Sequence, residues 1–269
     1  MRSEPDRVPD GTVRAALGTL LTTGLVCAIG AVLAQRATIA EGAQALVANA
    51  GASFLGADGS TKQGAEGTAR ALAGWAARGA ALAVGFTLVT IGLARATNAV
   101  APVTVSTFAP GILFGLLDAT LVAMRDEFLL HGLVLRVARN TPRARALGLA
   151  ACALASAAWS IGTAGASGVP VTRVLVEALL GVSFGAMWQR ERGASMAVTA
   201  HALWLFATTG GLASLRPRAG FWGGGDAGFL AAGSALAAAT LAAAAAVAWT
   251  LRTSRASRGE TSTSRAAVG

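Results

Sequence analysis

The segment LLGVSFGAMWQRERGASMAVTAHALWLF, residues 179–206, decides the fold. Two apolar stretches flank a short turn, Gln189–Gly193, and the charges Arg190, Glu191 and Arg192 are confined to that turn. A helix that crosses a bilayer needs roughly 20 apolar residues. The segment therefore reads as the end of one span, Val171–Gln189, a tight polar turn, and a second span, Ala194–Thr209.

The same alternation extends outward in both directions. Upstream lies a span at Ala146–Thr163, preceded by the basic loop RVARNTPRAR with Arg136, Arg139, Arg143 and Arg145. Before it a long helix is expected from Gly111 to Ala138, and before that a span at Leu72–Leu93 that a single Arg78 interrupts. The intervening NAVAPVTVSTFAPG, with Pro102 and Pro110, argues for a loop or a broken helix. The first apolar run, Ala15–Ala34, is longer than the 7–15 residues of a signal-peptide core and is read as an uncleaved span. Downstream, Gly228–Leu251 forms the last run. The expectation is an all-α, polytopic transmembrane helical bundle of about six to eight spans.

Composition agrees. Hydrophobic residues make up 54% of the 269 residues, and charged residues only 13%, against about 25% in an ordinary soluble domain. Disordered, collagen-like and disulfide-rich secreted chains are excluded. The net charge of +9 comes from 22 basic and 13 acidic residues, and every basic residue except Lys62 is arginine. Basic residues gather in the cytoplasmic loops of membrane proteins, so the expected partner is the lipid bilayer and not nucleic acid. Cys27 and Cys152 both fall inside apolar runs, with neither disulfide nor metal-ligand spacing.

The polar lead covers residues 1–14, and the N-terminal helices residues 15–109, with a polar, Gly-rich loop at 35–71. Within that loop IAEGAQALVANAGASFL has helical spacing and suits a helix lying along the membrane interface. A core spans 110–210, a loop and the last span 211–251, and a Ser/Thr/Arg-rich tail, 252–269, is expected to be disordered. The glycine run FWGGGDAG at 221–228 reads as a flexible loop. A cytoplasmic tail puts the 189–193 turn and the four-arginine loop in the cytoplasm as well. Placing the N-terminus there too requires one more span or a re-entrant piece, expected within residues 96–137.

Ionisable groups inside spans cost about 2.5–3.5 kcal/mol at a helix centre, so they mark either function or structural pairs. The candidates are Asp118, the trio Arg125-Asp126-Glu127, His131, the pair Arg173 and Glu177, and His201. Glu127 and His131 stand four apart on one helix face, where a carboxylate beside an imidazole can activate water; a structural pair at a helix end is the competing reading. Arg173 and Glu177, also four apart, read as an ion pair. His201 alone reads as a hydrogen-bonded core histidine. The chain has no H-E-x-x-H, no G-x-S-x-G and no G-x-x-x-x-G-K-[ST], so no metal and no cofactor is expected.

Read together, these positions resemble the CPBP intramembrane proteases, which include the CAAX prenyl endopeptidases and bacterial relatives linked to bacteriocin self-immunity. MRDEFLLHGLVLR (124–136) resembles the first motif, E-E-x-x-x-R followed by Gly, with Asp126-Glu127 as the acidic pair, His131 in place of Arg, and Gly132. ACALASAAWSIGTAG (151–165) resembles the second, F-x-x-x-H, with Trp159 at the aromatic position and Thr163 in place of His. Residues 179–206 resemble the third, with Gly181, Gly185 and His201, and with Leu205 in place of Asn.

The resemblance implies a CPBP-like core and a polar cavity within a bacterial cytoplasmic membrane. It also implies hydrolysis of a peptide bond in a membrane-associated protein or peptide. Glu127 would activate water and His201 would stabilise the oxyanion, with Asp126, His131 and Thr163 lining the same cavity. The replacements at 163 and 205 leave a second reading, a catalytically decayed member that acts as a binding or regulatory module. A small proton-coupled transporter using Asp118, Glu127 and His201 is the third.

Overall fold

The computed structural model describes residues 10–33, 37–54, 65–96, 109–138, 144–163, 170–191, 193–210 and 235–249, and every element among them is a helix. These are α1 (Asp10–Val32), α2 (Ala37–Phe54), α3 (Ala65–Ala96), α4 (Ala109–Asp126), α5 (Leu133–Ala138), α6 (Ala144–Thr163), α7 (Val171–Glu191), α8 (Ser195–Leu205) and α9 (Ala235–Trp249). A π-helical turn, Glu127–Gly132, joins α4 to α5 without a break, and a second, Phe206–Gly210, extends α8. The all-α expectation holds. Four helices are long and apolar enough to cross a membrane: Arg14–Val32, Ala69–Leu93, Ala146–Thr163 and Val171–Glu191.

Contacts fix the direction of each helix. Gly30 meets Gln44, Gly51 meets Thr22, and Arg14 lies over the Phe54 ring, so α1 and α2 form an antiparallel hairpin. Gly42 meets Leu121 and Gln44 meets Arg125, so α2 runs parallel to α4. Gly79 meets the Met196 backbone and Phe86 packs on Trp204, so α3 and α8 are parallel. Gly181 meets Cys152 and Ser156, and Gly185 meets Leu149 and Cys152, so α6 and α7 are antiparallel. Arg190 lies over the Trp249 ring, which brings the end of α9 to the end of α7. Successive helices therefore alternate, counting α4 and α5 as one. Arg14, Arg136, Arg190 and the C-terminal end of α9 all come to one end of the bundle.

Residues 39–54 belong to α2, which packs lengthwise between α1 and α4. Its inward face is made of small side chains, Ala40, Ala45, Ala48 and Ala52, which let helices approach closely yet give little hydropathy signal. Of the expected last span, 228–251, residues 235–249 are described and form α9, while 228–234, 250–251, the 221–228 glycine run and the tail lie outside the described residues.

Close packing here rests on glycine. A Cβ at Gly181 would stand 2.6 Å from Ser156 Oγ and 2.8 Å from the Cys152 carbonyl oxygen. One at Gly185 would stand 3.1 Å from Cys152 Sγ. Helix association in lipid depends on such van der Waals contact, because lipid tails are as apolar as leucine. Hydroxyls within these helices bond to their own backbone: Thr22 to the Gly18 carbonyl, Thr90 to Phe86, Thr120 to Leu116 and Ser183 to Leu179.

Candidate functional site

Glu127 opens the π-helical turn, and all six residues of that turn are buried. A π turn inserts one residue into a helix and re-aims the side chains around it. Here it brings Glu127 and His131 to the centre of the bundle, facing α7 and α8. Glu127 is 0% exposed, and three side chains surround its carboxylate. His201 Nδ1 lies 2.8 Å from Oε1, and the Trp188 indole N–H donates to Oε2 at 2.8 Å. His131 Nδ1 stands 3.1 Å from Oε2 without the alignment of a hydrogen bond, and neither His131 ring nitrogen has a hydrogen-bond partner. Phe184 stacks on His201, with centroids 4.6 Å apart, and sets its edge against His131.

Each partner is held by its own helix. Gly132 lets the Trp188 ring cross the π turn, since a Cβ there would stand 2.9 Å from the ring. His201 is placed by α8, and α8 starts on a cap from α7. Glu191 Oε1 and Oε2 accept the backbone N–H groups of Ser195 (3.1 Å) and Met196 (2.7 Å). The first N–H groups of a helix have no partner inside it, so this carboxylate fixes the start of α8 against the end of α7.

The sequence candidates separate into those that meet and those that do not. Glu127, His131 and His201 meet. Asp126 is turned to Arg125, whose Nε donates to Oδ1 at 2.7 Å. That guanidinium also donates to Gln44 Oε1 at 3.1 Å and lies 5.4 Å from the centre of the Trp159 ring, tying α4 to α2 and α6. Gln44 in turn donates to the Val26 carbonyl of α1. Asp126 therefore belongs to a structural chain of polar contacts beside the site.

Thr163 departs from expectation. It is exposed at the end of α6, and its hydroxyl donates to the Trp159 carbonyl at 2.9 Å. The distance along α6 explains this: Thr163 lies one turn beyond Trp159, past the level of the carboxylate. Among the described residues Arg173 and Glu177 close no ion pair within 4.0 Å, and Arg173 Nε is buried without a hydrogen-bond partner, so the expected i, i+4 pair is not formed. Asp118 meets Glu41 between α4 and α2, away from the histidines. Among the described residues no three His, Cys, Asp or Glu side chains are placed to share a metal ion.

Trp188, Phe184 and Glu191 were not legible as site residues. Trp188 sits in an apolar run where an indole reads as packing.

The arrangement can do one kind of chemistry directly. A carboxylate that accepts from Nδ1–H of a histidine fixes the tautomer and leaves Nε2 as the basic nitrogen. Glu127 is fully buried and His201 nearly so, at 8% exposed. This is the orienting half of a carboxylate–histidine pair, with an indole holding the second carboxylate oxygen.

No family model matches the chain, and neither a curated protein nor a solved structure matches it.

Proposed function

We propose that this chain is an intramembrane endopeptidase of CPBP type that uses the Glu127–His201 pair to activate water against a peptide bond of a membrane-associated protein. The observation that carries the reading is a carboxylate with no exposed surface, inside an apolar bundle, whose contacts are two imidazoles and an indole and not an arginine or lysine. An ionisable group at that depth is expensive, and a purely structural role would be met more cheaply by an apolar side chain. His201 takes the proton of the attacking water through Nε2, and Glu127 stabilises the resulting imidazolium through Nδ1–H. This gives His201 the base role and Glu127 the orienting role. His131, buried beside the carboxylate, adds a second imidazole to balance its charge.

The chain is further proposed to cross a bacterial cytoplasmic membrane eight times, with its basic end in the cytoplasm. Support comes from the alternation of the helices and from the arginines at one end. Glu127 then lies 11 residues from the Ala138 end of α5, about 17 Å deep at 1.5 Å per residue.

One observation favours a second reading, a decayed member acting as a binding module. Both Glu127 oxygens are already engaged, and Thr163 supplies nothing to the site. The two readings part in a complementation assay of a deletion strain, with membrane levels checked by blotting. The endopeptidase requires that Glu127→Gln and His201→Ala lose function at parental abundance while Thr163→Ala keeps it. Full function of Glu127→Gln would leave the binding module.

A further inference from the structure

A cavity lies beside the site, between α3, α7, α8 and α9, with a volume of about 840 Å³. Its lining is apolar apart from Ser183, and includes Phe86, Phe184, Met187, Trp204 and Leu241. Val89 and Leu241 line it while remaining exposed, so the cavity opens sideways between helices, toward the space a bilayer fills. Along α9 the lining runs from Ala238 to Trp249, about 17 Å at 1.5 Å per residue. That shape is a slot, long and narrow, with walls of alanine and aromatic rings. Its polar groups are too few to satisfy a peptide backbone, whose every N–H and C=O needs a partner when water is absent.

One end of the slot is charged. Trp249 lines the cavity, and the exposed Arg190 guanidinium lies 5.3 Å from the centre of its ring. Arg190 belongs to the end of the bundle where the basic segments gather. A tryptophan beside an arginine at a helix end is the arrangement found at the headgroup level of a bilayer. Basic pockets between helices on the cytoplasmic side suit anionic headgroups, because that leaflet carries the negative lipids.

We propose that this slot binds one molecule of an anionic phospholipid, with an acyl chain along α9 and the phosphate on Arg190. The apolar wall accounts for the chain, and the Arg190 cation at the mouth accounts for the headgroup. Because Phe184 lines the slot and also stacks on His201, the lipid chain packs against the ring that holds the imidazole in place.

The test uses the full chain in detergent, with dioleoylphosphatidylglycerol or dioleoylphosphatidylcholine added at equal concentration and bound lipid counted by native mass spectrometry. The parent is expected to retain the glycerol lipid several-fold better than the choline lipid. Arg190→Gln changes an exposed side chain, and is expected to bring the two lipids to parity. Ala245→Phe points a ring into the open slot from an exposed position, and is expected to lower retention of both. Thermal midpoints of all three proteins without lipid check that they are folded, and the parent's midpoint should rise with the glycerol lipid more than with the choline lipid. Equal retention of the two lipids by the parent overturns the proposal. So does parental selectivity in Arg190→Gln, since retention would then reflect a lipid annulus with no chosen headgroup.

Discussion

The Trp188 indole of α7 donates to the Glu127 carboxylate of the π turn at 2.8 Å, across 61 residues of sequence and in the buried centre of the bundle. The bond links the π turn to α7 and gives the Glu127 carboxylate a neutral donor. Trp188→Phe keeps most of the ring and removes the N–H. It is expected to lower stability by about 1–3 kcal/mol, the cost of leaving a buried acceptor without its partner. Unfolding midpoints in a fixed detergent measure it, and an unchanged midpoint would mean that Oε2 finds another donor.

Helix approach at α6–α7 gives a contrast within one experiment. Gly185→Leu drives a branched side chain into Cys152 and Leu149, and Gly181→Leu drives one into Ser156. Each is expected to cost about 1–3 kcal/mol or more through overpacking. Gly162 has nothing within 4 Å of its would-be Cβ, so Gly162→Ala is expected to be neutral, or to stabilise by up to about 1 kcal/mol through helix propensity. Thermal midpoints of the three variants side by side decide it.

The cap from Glu191 gives a third expectation. Glu191→Ala removes both acceptors for the first N–H groups of α8 and is expected to cost about 1 kcal/mol. Because α8 carries His201, the same change should reduce activity more than Thr163→Ala does. Glu191→Asp, one carbon shorter, should fall between the two. Equal activity in Glu191→Ala and Thr163→Ala would show that α8 keeps its place without the cap.

Arg125 holds Asp126, Gln44 and the Trp159 ring at once. Arg125→Ala leaves Asp126 buried without its cation, a change expected to cost about 3 kcal/mol, the low end for a broken buried pair, since both side chains keep some exposure. Arg125→Lys keeps the charge but has neither the fork nor the flat stacking face. It should recover only part of the loss, as read by abundance in membranes and by unfolding midpoint.

Much of this bundle was readable from sequence because apolar runs separated by arginine turns have few other solutions in a bilayer. The packing role of Gly181 and Gly185 was readable for a related reason, as small residues four apart mark close helix contact. The meeting of Glu127, His131 and His201 followed from the cost of burying each of them. The packing of α2 between α1 and α4 was not legible, because its inward face is alanine and because Glu41 and Gln44 break its hydropathy while in the fold they reach sideways to Asp118 and Arg125. Thr163 was misplaced because motif order says which helix a residue is on, not at what height it leaves the helix.

The proposed topology fixes the sidedness of three arginines. In a Cys27→Ser background, Arg14→Cys, Arg136→Cys and Arg190→Cys are expected to react with a membrane-impermeant thiol reagent only after the cytoplasmic side is opened. The Arg14 site is the informative one, since it shares that side only if α2 crosses the membrane. Labelling of Arg14→Cys from outside intact cells would remove α2 from the count.

The pairing of Glu127 with His201 as a water-activating unit is tested most directly by the termini of membrane proteins in cells. Peptides ending at non-encoded positions are compared between a strain with the parent chain and one with Glu127→Gln at equal membrane abundance. The expected result is a set of termini present with the parent and missing with Glu127→Gln and with His201→Ala alike. Identical termini in all three strains would contradict a hydrolytic role for the pair.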